Sequence, residues 1–214
     1  PLQMLASVGW YGFYTQYYYS GDSTFVPVIY DRLHRYLHET WKVDKSGLPI
    51  ERSGEWSWGD WGEQIDMGVL TNCWYYLALK AEKEFALQLG KKEDAEDISR
   101  MMSSIEQCFN TKFWTGTAYR SPGYRGENDD RSQAMAVLSG LAPKEKYPAL
   151  LKVLKKEYHA SPYMEKYVLE ALFRMNAPDV AMQRMRDRYA GMLGYKGYTT
   201  LFEGWGVGAE GFGG

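Results

Sequence analysis

Residue types that mark whole classes of protein are scarce in this chain of 214 residues. It has only 3 histidines, and they lack the cysteine and histidine spacing of a zinc site. The formal net charge is −2, whereas a nucleic-acid-binding domain favours a basic patch. No apolar run approaches the roughly 20 residues that cross a bilayer. These shortages argue against a nucleic-acid or membrane partner, and we expect neither a metal nor another cofactor.

The few cysteines and histidines fit ordinary structural roles. Cys73 and Cys108, the only 2 cysteines, lie in helical patterns among apolar neighbours, which favours buried free thiols over a disulfide. His34 and His38 are four residues apart and could share a helix face, but no acidic residue completes a metalloprotease motif beside them. We therefore interpret both histidines as surface residues.

The ends of the chain indicate a piece of a longer protein. The sequence begins at Pro1 without methionine, shows no signal peptide, and ends on the glycine-rich stretch 210–214. The missing signal therefore says little about the compartment.

Aromatic residues are abundant, at 16% of the chain with 18 Tyr and 8 Trp. Three tryptophans, two glycines and Asp60 fall within residues 56–62, in the order Trp-Ser-Trp-Gly-Asp-Trp-Gly. The apolar face of a sugar ring packs on an indole, and its hydroxyl rim suits a charged acceptor. The segment therefore suggests carbohydrate binding. The alternative is a loop that its tryptophans anchor to the core.

Helical periodicity dominates the rest of the chain, and no convincing run of period-2 strands is present. Turn residues such as those at 20–22, 89–91 and 140–143 separate the helices into pairs. The first helix of each pair is the more apolar, so it is expected to be buried on most sides. The predicted helices are 3–19, 23–41, 66–89, 92–109, 129–140, 145–158, 162–175 and 178–192.

Buried and covering helices in alternation predict an all-α fold, an α/α toroid of the (α/α)6-barrel type. The inner helices would run parallel, so the loops that lead into them should meet on one rim, near positive helix ends that hold polar ligands. An α-solenoid is the alternative, but its repeats keep a fixed period. We expect residues 1–214 to form a single domain. The rim loops are 56–66, 121–130, 159–163 and 199–210.

Glu203 is the candidate for proton chemistry. It lies in the segment 199–206, between Phe202 and Trp205 and beside glycines, so its carboxylate can project from an irregular loop. Such a group could act as an acid or a base. A structural glutamate that accepts bonds from loop amides is an equally good interpretation.

Two helix starts supply further candidates. Asp129 or Asp130 suits the N-cap of the fifth helix, and two adjacent aspartates exceed what capping needs, so Asp130 could face the rim. Ser161 suits the N-cap of the seventh helix, where Tyr163 could line the rim and Glu165 could support the first turn.

These segments together resemble the second part of the (α/α)6-barrel catalytic domain of bacterial α-L-rhamnosidases, glycoside hydrolase family 78. The resemblance covers nearly the whole chain, and it depends on the order and spacing of several short pieces. The matching pieces are 17–22, Gly59-Asp60-Trp61, 72–79, Cys108-Phe109-Asn110, 130–141, Ser161-Pro162-Tyr163 and 199–205.

The resemblance implies a hydrolase that releases terminal α-L-rhamnosyl residues with inversion, using one carboxyl group as acid and another as base. The family's motif Thr-Thr-(Ile/Leu)-Trp-Glu-Arg-Trp places the general base at Glu203. The sugar would be held by Asp60 and Trp61, with Trp58, Trp205, Asp130 and Tyr163 around them.

Three positions depart from the family pattern. Phe202 replaces the tryptophan of the motif, Gly204 replaces its arginine, and Lys196 stands where many members have histidine. The general acid of the family lies before the first helix of this chain, and eight helices are present against the twelve of a closed barrel. The remaining N-terminal part of the same polypeptide is therefore an expected partner, and the fragment alone should be inactive.

Two alternatives stay open. Another inverting (α/α)6 glycosidase would act on a different sugar, such as glucose, a uronate or arabinose. A non-catalytic relative would keep the aromatic rim and bind carbohydrate without turnover. The family resemblance is compatible with a periplasmic or extracellular protein.

Overall fold

The computed structural model describes residues 2–52 and 58–206, and helices occupy all eight predicted positions there. The described residues contain no strand, only isolated bridges at Val43–Pro49 and Trp114–Tyr119. None of the described helices is both long and apolar enough to span a membrane. The α-helices are α1 Leu2–Val8, α2 Thr15–Ser20, α3 Val26–Arg35, α4 Met67–Gln88, α5 Lys92–Lys112, α6 Asp130–Ser139, α7 Tyr147–Lys156, α8 Pro162–Arg174 and α9 Pro178–Gly194.

The chain divides into two compact units. The first consists of Pro1–Gly59 with Gly68–Phe113, and the second of Asp60–Met67 with Trp114–Gly214. Nearly all of α1 to α5 belongs to the first unit, and α6 to α9 belong to the second.

Burial alternates as the sequence predicts in three of the four helix pairs. In α4, 15 of the 22 residues are buried, whereas only 4 of the 21 residues of α5 are. All 10 residues of α6 are buried, and α7 buries 3 of 10. In α8, 7 of 13 residues are buried, against 3 of 17 in α9. These three pairs each join an inner helix to an outer one that exposes its polar face, the alternation of an α/α toroid. The first pair departs from the prediction, because residues 3–19 bury only Leu5 and Gly9.

The first predicted helix is interrupted, which the periodicity does not indicate. Gly9 is extended, with φ −93° and ψ −150°, and a π-helical turn Trp10–Tyr14 separates α1 from α2. A Cβ atom on Gly9 would lie 2.6 Å from the Leu5 carbonyl oxygen and 3.1 Å from Ala78 Cα of α4. Glycine at this position therefore lets the backbones of α1 and α4 approach each other closely.

We expect Gly9→Ala to destabilise the chain by about 1–3 kcal/mol, because its methyl group would meet backbone that cannot move aside cheaply. The free energy of unfolding from urea titration measures the effect. Gly123→Ala is the control, since its Cβ would meet nothing within 4 Å. An equal, small change in both variants would contradict this account of Gly9.

The histidines depart from their expected surface role. His34 Nδ1 lies 2.7 Å from Glu82 Oε1, and His38 Nε2 lies 2.9 Å from Glu82 Oε2, where Glu82 is fully buried in α4. The interpretation of both as plain surface residues without an acidic partner is therefore wrong. The acidic partner is 44 residues from His38 in sequence, and a local motif cannot show it. Both cysteines are free thiols, with Cys73 buried and Cys108 half-buried.

Candidate functional site

Residues from all four predicted rim loops meet in the second unit, at the N-termini of α6 and α8. Asp129 is the N-cap of α6 and accepts a hydrogen bond from the Arg131 backbone N–H. Ser161 is the N-cap of α8, and its side chain accepts a bond from Met164 N–H. Both helices begin where the sequence predicts, so their positive ends lie among the loops that carry the candidate residues.

Three of the loops are joined at Ala160–Ser161. Asp60 Oδ2 accepts a bond from Ser161 N–H at 2.8 Å, and Asp60 Oδ1 accepts another from the Ser161 hydroxyl. Ala160 N–H donates to Asp130 Oδ1 at 3.1 Å. The Ala160 carbonyl accepts a bond from Trp205 Nε1 at 2.7 Å. One dipeptide therefore fixes the loops of Asp60 and Trp205 against the start of α6.

Arg131 fixes the Asp60 loop from the other side. It is fully buried, and its Nη1 lies 3.1 Å from Asp60 Oδ2. Its Nη2 donates to the carbonyl oxygens of Glu63, at 2.7 Å, and Gln64, at 2.9 Å. Its Nε bonds Asp129 Oδ1 at 2.6 Å, so the helix cap also holds the guanidinium in place. Arg131 therefore holds residues 60–64 in place. Its bonds to Glu63 and Gln64 go to backbone oxygens, which any residue at those positions would supply.

The Asp66 carboxylate joins the first loop to the second. It accepts bonds from the Ser121 hydroxyl, at 2.5 Å, and from Ser121 N–H, at 2.7 Å. Gln64 Oε1 also accepts a bond from Glu127 N–H at 2.8 Å. With the contacts at Ala160–Ser161, these bonds confirm that the four loops converge within this unit.

Charges beneath the loops are buried and paired. Arg184 of α9 lies 2.5 Å from Asp130 Oδ2 and 2.5 Å from Glu165 Oε1. Its Nη1 also donates to the carbonyls of Leu154 and Glu157, both at 2.7 Å. Glu165 lies in the first turn of α8 as expected, but its carboxylate also pairs with α9. Buried charges persist when they are paired and hydrogen-bonded, as these are.

Asp60 and Asp130 are committed to protein contacts. They are 3% and 0% exposed, and both oxygens of each accept bonds from protein groups. Burial raises the pKa of Asp60, while the bonds from Ser161 and the charge of Arg131 oppose that rise. Neither aspartate faces solvent, so a bond from either to a sugar would replace a bond within the protein. Their predicted contact with a sugar stays a prediction.

Other candidates are open to solvent. Trp61 is 46% exposed and Tyr163 is 43% exposed. Glu203 is exposed, between the buried Phe202 and the half-buried Trp205. An exposed carboxylate close in sequence to an anchored tryptophan is free to meet a ligand. These residues supply the two chemistries that a sugar needs, flat apolar faces and an acidic acceptor.

Trp205 also anchors its own loop, which the sequence does not indicate. The guanidinium carbon of Arg188 lies 3.9 Å from the centroid of its ring, and the ring of Tyr189 packs edge-on against it at 5.0 Å. With its indole N–H bonded to Ala160, Trp205 anchors the loop that carries Glu203. Burial raises the pKa of Tyr189 to about 12, so its hydroxyl keeps the proton that it donates to Pro162 at 3.0 Å.

Trp58 belongs to the first unit, where its carbonyl accepts a bond from Gln3 Nε2 at 2.8 Å. Trp56 lies outside the described residues. The sugar contact predicted for Trp58 stays a prediction.

A groove of about 640 Å³ opens between α8 and α9 in the second unit. Its walls are mostly apolar, formed by residues such as Leu169, Phe173 and Leu193. A sugar site needs several polar groups beside its apolar surface. The groove therefore differs in chemistry from the loops around Ala160–Ser161.

The sequence pattern does not indicate the arginines that pair with the buried aspartates. The sequence pattern assigns no role to Arg131, Arg184 or Arg188. A weak signal exists, since Arg184 and Arg188 are four residues apart and could share a helix face. The acidic partners of that face, however, lie 19 to 54 residues away in sequence.

Comparison with solved structures finds the same fold in rhamnosidases. A rhamnosidase from Klebsiella oxytoca with rhamnose bound matches with a TM-score of 0.80 and 18% identity, over 98% of this chain and 40% of that one. The family 78 rhamnosidase of Bacillus sp. GL1 matches with a TM-score of 0.68 and 24% identity, over 84% and 20%. The Streptomyces avermitilis α-L-rhamnosidase complexed with L-rhamnose matches at 0.68 and 18%, over 89% and 19%.

The chain thus spans from about a fifth to two fifths of these relatives. No curated protein matches it. The α/α toroid, partial in this chain, is confirmed by these structures. The model of the bacterial alpha-L-rhamnosidase 6 hairpin glycosidase domain matches residues 6–210. The chain therefore belongs to the family of bacterial α-L-rhamnosidase six-hairpin glycosidase domains.

Proposed function

We propose that this chain is part of a glycoside hydrolase that releases terminal α-L-rhamnosyl residues by an inverting, two-carboxylate mechanism. The observation that carries the proposal is that Asp60, Asp130 and Trp205 all bond to Ala160–Ser161, with Glu203 exposed two residues before Trp205. Family membership supports the reaction class, and two structural relatives with rhamnose bound support the sugar.

Glu203 is the general base in this proposal. An inverting enzyme holds base and acid about 6.5–9.5 Å apart so that a water fits beside the sugar. The carboxylate of Glu203 is exposed, so water can reach it, and Trp205 holds its loop at Ala160. An exposed but tethered carboxylate suits a group that removes a proton from water in a fixed direction.

Trp61 and Tyr163 are the proposed sugar contacts in the second unit. Asp60 bonds Ser161, so Trp61, the next residue, lies on a loop tied to the start of the helix that carries Tyr163. Asp60 and Asp130 remain proposed sugar contacts, and their oxygens also hold the loops in position. Trp58 is proposed as a further contact on its sequence pattern alone.

A panel of aryl glycosides tests the function in the full-length polypeptide that contains this chain. We expect the α-L-rhamnoside to be hydrolysed with the highest kcat/KM. A higher kcat/KM for a glucoside, uronide or arabinoside would show that the protein is an inverting glycosidase for that other sugar. Sugar binding in calorimetry without turnover of any substrate would favour a non-catalytic relative.

We expect the purified 214-residue chain to be inactive on the same rhamnoside. The resemblance places the general acid upstream of Pro1, and an inverting mechanism needs both carboxyl groups. The full-length polypeptide at equal concentration is the positive control. Hydrolysis by the isolated chain above the uncatalysed rate would show that it holds its own acid.

A further inference from the structure

His34, His38 and Glu82 form a cluster in the first unit that the proposed glycosidase site does not use. His34 lies near the end of α3, and His38 lies in the π-helical turn Tyr36–Thr40 that continues it. Glu82 projects from the inner helix α4. The cluster therefore joins two helices through three side chains that are all able to bind a metal ion.

One possible metal-ligand atom from each of the three residues lies close to those of the other two. His34 Nδ1 lies 2.7 Å from Glu82 Oε1. His38 Nε2 lies 3.1 Å from Oε1 and 2.9 Å from Oε2. The two imidazole rings stack, with their centroids 4.3 Å apart and their planes 30° apart. Imidazole nitrogen is the commonest protein ligand of transition-metal ions, and each ring here turns one nitrogen towards Glu82.

Glu82 is a fully buried carboxylate without a cationic side chain of fixed charge beside it. Its exposure is 0%, and within residues 2–52 and 58–206 no lysine or arginine pairs with it. A buried charge is costly unless it is paired or coordinates a metal. A divalent cation would balance this charge.

We propose that His34 Nδ1, His38 Nε2 and the Glu82 carboxylate bind a divalent transition-metal ion, with zinc as the best fit. Two histidines and one glutamate form a known protein ligand set for zinc, with bonds of roughly 2.0–2.1 Å. Tetrahedral bonds of that length place the donor atoms about 3.3 Å apart. The observed nitrogen-to-oxygen separations of 2.7–3.1 Å would need to widen by about 0.2–0.6 Å.

Solvent can reach the cluster and complete the coordination. The side chain of His34 is 39% exposed and that of His38 is 18% exposed. Water can therefore take the fourth position, and the ion has an entry path. Beyond His34, the ring of Tyr30 lies in the same stack, and its hydroxyl donates to Asp94 at 2.8 Å. The bound ion would cross-link α3 and its π-helical turn to α4 and stabilise this unit.

A second cluster provides a matched control. In the other unit, His159 Nε2 lies 3.1 Å from Glu127 and 3.5 Å from Glu157. It has one histidine rather than two, and the side chain of Glu127 is 65% exposed. Zinc prefers nitrogen and sulfur ligands over carboxylates alone, so this cluster is the weaker candidate.

Titration of the chelator-treated 214-residue chain with zinc in a calorimeter tests the proposal. We expect one zinc per chain and a raised melting temperature. Binding should be at least about a hundredfold weaker in His34→Asn and His38→Asn, since even the loss of a residue that only orients a ligand weakens a metal site roughly 10–100-fold. His159→Asn should bind as the unchanged chain does. Circular dichroism establishes that each variant is folded before it is compared.

Cobalt(II) serves as a spectroscopic probe of the same site. Its visible absorption reports low-symmetry coordination by nitrogen and oxygen, and the band should be present in the unchanged chain and in His159→Asn but lost in His34→Asn. A folded chain that binds no zinc would overturn the proposal. So would a site that survives both changes at His34 and His38 and disappears in His159→Asn.

Discussion

Glu203→Gln in the full-length polypeptide should reduce hydrolysis of an aryl α-L-rhamnoside by at least about a hundredfold, the scale of a lost general base. The amide keeps the size of the side chain but cannot accept the proton of the attacking water. Because Glu203 is exposed in its loop, the change should leave folding intact. Steady-state kinetics measure the effect, which should appear in kcat more than in KM.

Two controls separate a base from a structural glutamate at this position. Glu145→Gln makes the same chemical change at an exposed residue of the same unit, and it should keep full activity. Azide, an anion that attacks without losing a proton, should restore glycosyl transfer in Glu203→Ala and yield a glycosyl azide of inverted configuration. Turnover near that of the unchanged enzyme in Glu203→Gln would contradict the assignment.

Arg184→Met should lower the free energy of unfolding of the chain by about 3–5 kcal/mol, the usual cost of removing one partner of a buried ion pair. Arg184 is 1% exposed and pairs with Asp130 and Glu165. Methionine fills much of the same volume, but it leaves Asp130 buried without its cation. It also removes the hydrogen bonds that the guanidinium donates to the carbonyl oxygens of Leu154 and Glu157.

Urea denaturation followed by tryptophan fluorescence measures this loss. Arg186→Met makes the same change two residues away on the exposed side of α9, and it should alter stability by no more than about 0.5 kcal/mol. Equal stability of the two variants would show that the buried network contributes little to the fold. Retained stability with lost activity would instead assign Arg184 to the reaction.

The helices were predictable because an inner helix and an outer helix bury different fractions of their residues. The apolar run of α4 and the charged face of α5 show this difference directly in sequence. The predicted start of α8 is also correct, because Ser161-Pro162 is a local signal that does not depend on tertiary contacts.

The interruption at Gly9 was not predictable from local pattern. Many helices tolerate a glycine within them, so Gly9 alone does not predict a break. Glycine is required here because Ala78, 69 positions further along the chain, lies close to it. The same limit applies to the histidines. Their spacing predicts a shared face, but Glu82 comes from another helix and no periodicity reveals it.

The residue types and loops of the candidate site were predictable from the sequence. The contacts and the exposure of each side chain were not. Asp60 and Ser161 are 101 residues apart, so their bond is a product of the fold. The sequence treats Asp60 and Trp61 alike as sugar contacts. The structure separates them, because one is 3% exposed and the other 46%.

The stereochemistry of hydrolysis tests the central claim most directly. Proton NMR of the full-length polypeptide acting on an aryl α-L-rhamnoside identifies the anomer that forms first, before mutarotation mixes the two. An inverting mechanism with Glu203 as the base predicts β-L-rhamnose as the first product. The α anomer as first product would contradict the account, since Glu203 would then act as a nucleophile or have no direct part.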